Sequence, residues 1–479
     1  LNSIVKNILR FASGSTLGGL FNFTAAFLVA KLVGPEKWGI WMIFNIILKF
    51  SPIFQLGASE SIQRRLPIFI AQGEIETANH FQSNAYSFSW LMGGLLVLLF
   101  ILFGPALLNI EAAYCYLFAP ALLFNLVSYN IGILFRGQNR FKEVGLISFL
   151  SGFFSVISIF LAYKLSFLGF LIGQLIRYFL TLLVTQGINK AKINFGIKNH
   201  TLKNLISDGS PILLIVISNY LITLSDRLII ANLFDDISLG LYGLAYLLIN
   251  PLILISGSVN SVLYTSFSAK YGKDKAFFNL KIILNYSQIL VFFYTSVIGI
   301  IYILIPIITE EFLTDYKPGI DAARLLLIGH IFYFSGGIIT NVYFTLNKQK
   351  KRLLIVLIAL FLNVCFSLLI LEYKFDILSV AVGSVLSFIF LFIGLLVGLN
   401  FLYPTFKWNE IKSILLFFFK TIVGVGMVVC AGFLDFHGGI VFSTFLKCIL
   451  FIVCFLLYTY LINKSDIRRI FNESNIFGR

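Results

Sequence analysis

Apolar runs of about 20 residues, each closed by a short polar or basic turn, follow one another along the whole chain, the pattern of helices that cross a bilayer. Fourteen such spans are predicted, at about 10–33, 39–58, 82–108, 114–135, 144–163, 166–188, 206–234, 240–263, 282–308, 320–344, 353–371, 377–402, 413–434 and 440–462. The span 206–234 is the least apolar, since it holds Asp208, Pro211, Asp226 and Arg227. Lys6 and Arg10 precede the first run as in a signal peptide, but the run is too long and lacks a small-x-small cleavage site, so it reads as the first helix. The longest connections, about 59–81 and 189–205, are expected as loops too short to bury a core. Any chemistry is therefore expected inside the helices or at their mouths.

Composition strengthens this reading. Of 479 residues 59% are hydrophobic and only 12% charged, with a mean hydropathy of +0.94, which leaves too little polar surface for a water-soluble fold. A net charge of +15 would suit nucleic acid if it were gathered on one face, but here the cations fall in the turns. Counted turn by turn, one side of the membrane holds 25 Lys and Arg, including Arg64, Arg65, Arg136, Arg140, Lys348 and Arg352; the other holds 5, namely Lys31, Lys37, Lys164, Lys317 and Lys374. By the positive-inside rule both termini are cytoplasmic, and the even span count agrees. The basic excess also suits anionic headgroups of the inner leaflet. Cys115, Cys365, Cys430, Cys448 and Cys454 lie in apolar runs with no CxxC spacing or nearby His, so neither disulfides, a metal site nor a cofactor is expected.

The chain repeats itself at a displacement of about 200–210 residues. GPEKWGIWMIF from Gly34 recurs as FDDISLGLYGLAY from Phe234, placing Gly39 and Trp41 opposite Gly240 and Tyr242. FRGQNRFK from Phe135 corresponds to FTLNKQKK from Phe344, and AYKLSFLGFLIGQL from Ala162 to EYKFDILSVAVGSVL from Glu372, with Gly173 opposite Gly383. An even number of spans per copy gives both copies the same orientation, a transporter design that permits alternating access. The expected layout is all-α: a six-helix lobe at 1–200, a second at 201–402, two appended helices at 403–463 and a basic cytoplasmic tail at 464–479.

The opening hairpin LVAKLVGPEKWGIWMIFNIILKFSPIFQLGASESIQRRLP carries a Leu-Gly-Pro-x-x-x-Gly turn and a second helix ending at Leu-Gly, followed by Arg. Together with SDRLIIANLFDDISLGLYGLAY, an Asp-Arg pair followed by Gly-x-Tyr, it resembles the bacterial O-antigen and capsule repeat-unit flippases of the multidrug/oligosaccharidyl-lipid/polysaccharide (MOP) exporter superfamily. The resemblance covers essentially the whole chain. It implies a non-enzymatic flippase of the bacterial inner membrane that carries undecaprenyl-diphosphate-linked oligosaccharide to the periplasmic leaflet for surface polysaccharide synthesis. Partners implied with it are membrane lipids, a polysaccharide polymerase and chain-length proteins, and no nucleic acid.

Charges within a bilayer cost roughly 2.5–3.5 kcal/mol each on insertion scales, so they mark cavities or partners. For a diphosphate cargo, cations are the matching chemistry. Candidate binding residues are Lys49, Arg177, Arg227, Asn45, Asn219, Asn250, Lys31 and Arg324; Lys31 and Arg324 lie near span ends, where snorkelling accounts for them equally well. Lys420 and Lys447 fall in the appended pair, where headgroup or helix contacts suffice. Asp208, Asn219 and Asp226 return to within about 20° of one another at 100° per residue, a polar stripe on one helix face. Asp208, Asp226 and His330 are candidate coupling sites, His330 because imidazole titrates near neutrality, although a hydrogen-bonded core histidine is the commoner case. Gly14 and Gly18 form a close-packing GxxxG pair.

Two other functions compete. A multidrug exporter of organic cations calls for an acidic cavity, whereas intramembrane cations outnumber acids here; a peptidoglycan-precursor exporter on the same fold fits the cations as well. A membrane glycan polymerase or glycosyltransferase calls for a catalytic loop with carboxylates, and the largest outer acidic group, Glu310, Glu311, Asp315 and Asp321, reads as a solvated loop.

Overall fold

The computed structural model describes residues 2–189, 196, 198–273, 280–400, 408–434, 436 and 439–473. Lys190, Lys192, Lys275, Lys407 and Arg479, counted above for orientation, and the tail beyond 473 lie outside them. Within the described residues the secondary structure is helical and contains no strand. The helices are α1 (Asn2–Phe50), α2 (Ala58–Gln72), α3 (Ile75–Leu108), α4 (Ala112–Gly137), α5 (Phe141–Ser155), α6 (Ile157–Ile188), α7 (Asn199–Leu233), α8 (Asp236–Lys273), α9 (Leu280–Ile307), α10 (Ile320–Thr345), α11 (Gln349–Tyr373), α12 (Ile377–Asn400), α13 (Trp408–Phe433) and α14 (Ile440–Glu473).

Twelve stretches of the described residues are long and apolar enough to cross a membrane. Two of them, Ser13–Gln55 with 43 residues and Phe141–Ile188 with 48, are each long enough for two crossings of about 20 residues. The first is broken at Gly34, whose φ of 74° only glycine adopts freely, directly before Pro35. The second is broken at Ser166, at φ 52° and ψ −134°. Each divides there into two crossings, which recovers the fourteen spans of the sequence reading. The fold is that of an all-α, multi-pass membrane protein.

One expectation fails. The segment from 59 is not a loop: α2 occupies Ala58–Gln72, and α3 begins at Ile75. Ala58, Ile62 and Leu66 of α2 are buried with Leu134, Phe135 and Leu205 in one apolar cluster. Gln63, Arg64 and Arg65 give α2 a polar side and lower its hydropathy, so an amphipathic helix passes for a loop when only apolar runs are counted.

The helices divide into two compact units, residues 1–243 and 244–479. Within the first, α3 packs on α4, α4 on α6 and α5 on α6; within the second, α9 packs on α10, α10 on α12 and α11 on α12. The internal duplication is thus present in the helix pairings. It extends to atoms. After α4, Asn139 takes a φ of 56°, and after α10, Asn347 takes 55°; the Arg140 amide then donates to the Phe135 carbonyl and the Lys348 amide to Tyr343, each at 2.8 Å. This is one left-handed helix cap made twice, and it moves the sequence register at this turn by one residue, so that Phe135 corresponds to Tyr343. Likewise Gly173 closes on the Ser158 backbone and Gly383 on Ser367. In the second unit the appended helices pack on α9 through Tyr302, Val428, Phe451, Phe455 and Tyr458.

Inside the first unit the two repeat hairpins meet. A side chain on Gly39 would run into the Asp236 carbonyl, and one on Gly240 into that of Pro35. Positions paired by the duplication therefore contact one another reciprocally, as in a two-fold interface. Further along, Gly57 and Gly209 bring the start of α2 and the body of α7 to backbone contact. Gly14 and Gly18 act as the sequence suggests, seating α1 on Gly145 and Ser148 of α5.

Candidate functional site

The charged cluster is built on α1 and α7. Asp226 and Arg227 are 1% and 3% exposed, which for charged groups inside a membrane requires specific partners. One Asp226 oxygen accepts the Arg227 amide at 2.7 Å, and the other accepts the Tyr242 hydroxyl at 2.8 Å. The Asp-Arg pair and the Gly-x-Tyr of the sequence motif are thus joined by a direct hydrogen bond across the α7–α8 turn. The Arg227 guanidinium donates to the Thr223 carbonyl at 2.5 Å, and its Nε stands 3.8 Å from Asp226. The carboxylate is consumed in holding this corner together.

Lys49 lies at the end of the second half of α1, half-buried, and the charges acting on it are those of Arg227 and Asp226. Among the described residues it forms no ion pair, so two basic side chains face one carboxylate that already accepts two hydrogen bonds. An excess of basic over acidic side chains is the physical requirement for holding an anion. Asn45, one turn before Lys49, is half-buried. Asn219 lies two turns before Asp226 and is also half-buried, its carbonyl accepting the Thr223 hydroxyl at 3.2 Å.

The other candidates lie elsewhere. Arg177 in α6 contacts Ser151 at 3.4 Å and Gln174 at 3.2 Å and lies over the Tyr178 ring, with no carboxylate among its partners in the described residues. Lys31 is exposed. Asp208 is taken up by a two-pronged pair with Arg65, at 2.9 and 3.0 Å. In the second unit Asn250 is exposed and Arg324 lies over the Tyr302 ring at 5.2 Å. His330 is 1% exposed, with Nδ1 2.8 Å from the Leu326 carbonyl among Tyr246, Tyr333, Phe334 and Phe388. Of the eleven candidates, then, Lys49, Asp226 and Arg227 are drawn into one electrostatic group. No cluster of three or more metal-ligating side chains occurs among the described residues.

Sequence reasoning missed a polar ladder between the α1–α2 junction and α4. Gln55 donates to the Leu126 carbonyl at 3.1 Å, Ser59 to Gln55, and Asn130 to Ser59 at 2.7 Å. Next to it Glu60, 3% exposed, accepts the Tyr129 hydroxyl at 3.2 Å. In the second unit Asn341 donates to the Asn260 carbonyl at 3.0 Å.

The family model described as polysaccharide biosynthesis protein matches residues 28–282. No curated protein matches the chain. Among solved structures, the lipid II flippase MurJ in an inward closed conformation is 18% identical, with 96% of this chain and 100% of that one covered at a TM-score of 0.75. An inward-facing multidrug resistance MATE-family transporter of the MOP superfamily is 16% identical, covering 85% and 98% at a TM-score of 0.64. A MOP-superfamily transporter from Pyrococcus furiosus, described as having a binding pocket of reverse polarity, is 17% identical, covering 82% and 94% at 0.57. These likenesses establish the fold, while the family match spans more than half of the chain and takes in both hairpins and the Asp226–Tyr242 corner. The chain belongs to the polysaccharide biosynthesis protein family.

Proposed function

We propose that this protein carries undecaprenyl-diphosphate-linked oligosaccharide repeat units across the bacterial inner membrane by alternating access, with both termini cytoplasmic and no chemical step of its own. The observation that carries the reading is the Lys49–Asp226–Arg227 group: two basic side chains against one occupied carboxylate, within the apolar spans. A diphosphate leaving the headgroup region needs such charge, because desolvating an anion without a partner costs more than any single contact returns. Asp226 and Tyr242 position Arg227; Lys49 supplies the mobile point charge that follows a phosphate. Arg177 offers a second guanidinium along the first unit. The duplication supports the expected layout of six-helix lobes at 1–200 and 201–402 with an appended pair, and alternating access is the motion such duplicated lobes perform.

The same cations suit a peptidoglycan precursor, which also bears a lipid diphosphate, and MurJ shares the fold; this is the second reading. Deleting the gene in its host separates them. Lost surface glycan with completed repeat units accumulating on the cytoplasmic leaflet supports the proposal. Intact glycan in a strain with no second flippase overturns it and favours precursor export.

A further inference from the structure

Among the described residues Glu60 is a buried acid with no charge partner. One carboxylate oxygen receives the Tyr129 hydroxyl, and the other, fully buried, has no hydrogen-bond partner. The groups facing it are Tyr129 on α4 and Tyr220 on α7; the exposed Arg136 acts on the two tyrosines but not on Glu60, no titratable group of α3 acts on it, and Asp208 is held by Arg65. Burial raises the Glu60 carboxyl above the ordinary carboxylate range, opposed in part by its own backbone amide and by the Tyr129 hydrogen bond. A lone carboxylate is a poor ion to leave in this position, whereas a neutral acid is tolerated.

Its place in the fold makes the proton movable. Glu60 sits one turn after Gly57, whose backbone touches Gly209, and five residues before Arg65, which clasps Asp208. Both contacts tie α2 to α7, so parting these helices would bring water to Glu60 and nowhere else on α2 to a buried acid. We propose that Glu60 is a proton-binding site of the transport cycle, protonated while α2 and α7 are closed on each other and releasing its proton when they part. Asp208 and Asp226 are placed differently, their oxygens engaged by Arg65 and by Tyr242 and the Arg227 amide. The coupling to transport rests on the flippase reading; the protonation does not.

Dicyclohexylcarbodiimide, an apolar reagent that attacks protonated buried carboxyls, tests this on the full-length protein in lipid vesicles, read by mass spectrometry of the Glu60 peptide from about pH 5 to pH 9. Expected is labelling at pH 7 that falls off with a midpoint well above the free-Glu value of about 4.3. In Tyr129→Phe, which removes a hydrogen bond to the charged form, the midpoint moves up. In Asp208→Asn, which loosens the α2–α7 clasp, it moves down and labelling at pH 7 drops several-fold. Absence of labelling across the range, or a midpoint unmoved in Asp208→Asn, overturns the proposal. Since the readout needs no cargo, that failure leaves the flippase reading to be judged by glycan export alone.

Discussion

Tyr242 shows what a single hydroxyl does in this protein. Its hydrogen bond completes Asp226, so Tyr242→Phe leaves a buried carboxylate oxygen short of a donor, at a cost of roughly 1–3 kcal/mol. A lower melting temperature of the purified variant in detergent, at unchanged helix content, is the expected result; an unchanged melting temperature shows that the bond is not supporting the corner. Lys49 is the contrasting case. With no ion pair to lose, Lys49→Met is expected to keep the wild-type melting temperature while surface glycan falls about ten-fold, measured at matched protein levels in cells. Lys49, Asp226 and Arg227 were legible in the sequence because a charge within an apolar run stands out. Glu60 was not, because it follows the end of such a run and its isolation depends on what α4 and α7 bring to it. Nor was the Asp226–Tyr242 bond, which joins residues across a turn where helical periodicity has no say.

Among the elements, the turns carry most of the sequence information. Gly34-Pro35 ends one crossing, and Asp235 starts α8 by accepting the Ser238 amide at 2.9 Å, a helix N-cap. Replacing Asp235 with Ala is expected to cost about 0.5–1 kcal/mol, the low end for caps because the site is exposed. The Ser238 bonds hold the Asp235 carboxyl below the usual carboxylate range. Its stabilisation is therefore present above about pH 4 and fades as acid drops the pH through the lowered value; thermal melts of wild type and variant should converge there. The hairpin tips are less forgiving. Gly240→Ala forces a methyl against the Pro35 carbonyl, and loss of glycan export with retained membrane insertion is expected. Helix α2 escaped the sequence reading because its polar side dilutes the hydropathy, although its packed side, Ala58, Ile62 and Leu66, keeps helical spacing.

For the whole molecule, the repeat was the feature that sequence comparison exposed despite low complexity. It survives as matched helix pairings and matched caps at Asn139 and Asn347, since packing constrains a few contact residues and leaves lipid-facing positions free to drift. The register at that cap was off by one, because a helix end is set by backbone hydrogen bonds and not by the Phe that begins both motifs. The proposed orientation rests on the Lys and Arg bias alone, and is tested by single cysteines placed in a variant lacking the native five. A cysteine at 139 or 347 should react with an impermeant thiol reagent only from the cytoplasmic side, and one at 110 or 375 only from outside. The central claim is that the Lys49 and Arg227 charges carry a lipid diphosphate. Its most direct test is the rate at which the purified protein in lipid vesicles moves a polyprenyl-diphosphate oligosaccharide between leaflets, scored by lectin access to the sugar. The wild type should flip this lipid far faster than protein-free vesicles, with Lys49→Met slowed about ten-fold. Equal rates for wild type, Lys49→Met and empty vesicles would contradict the account.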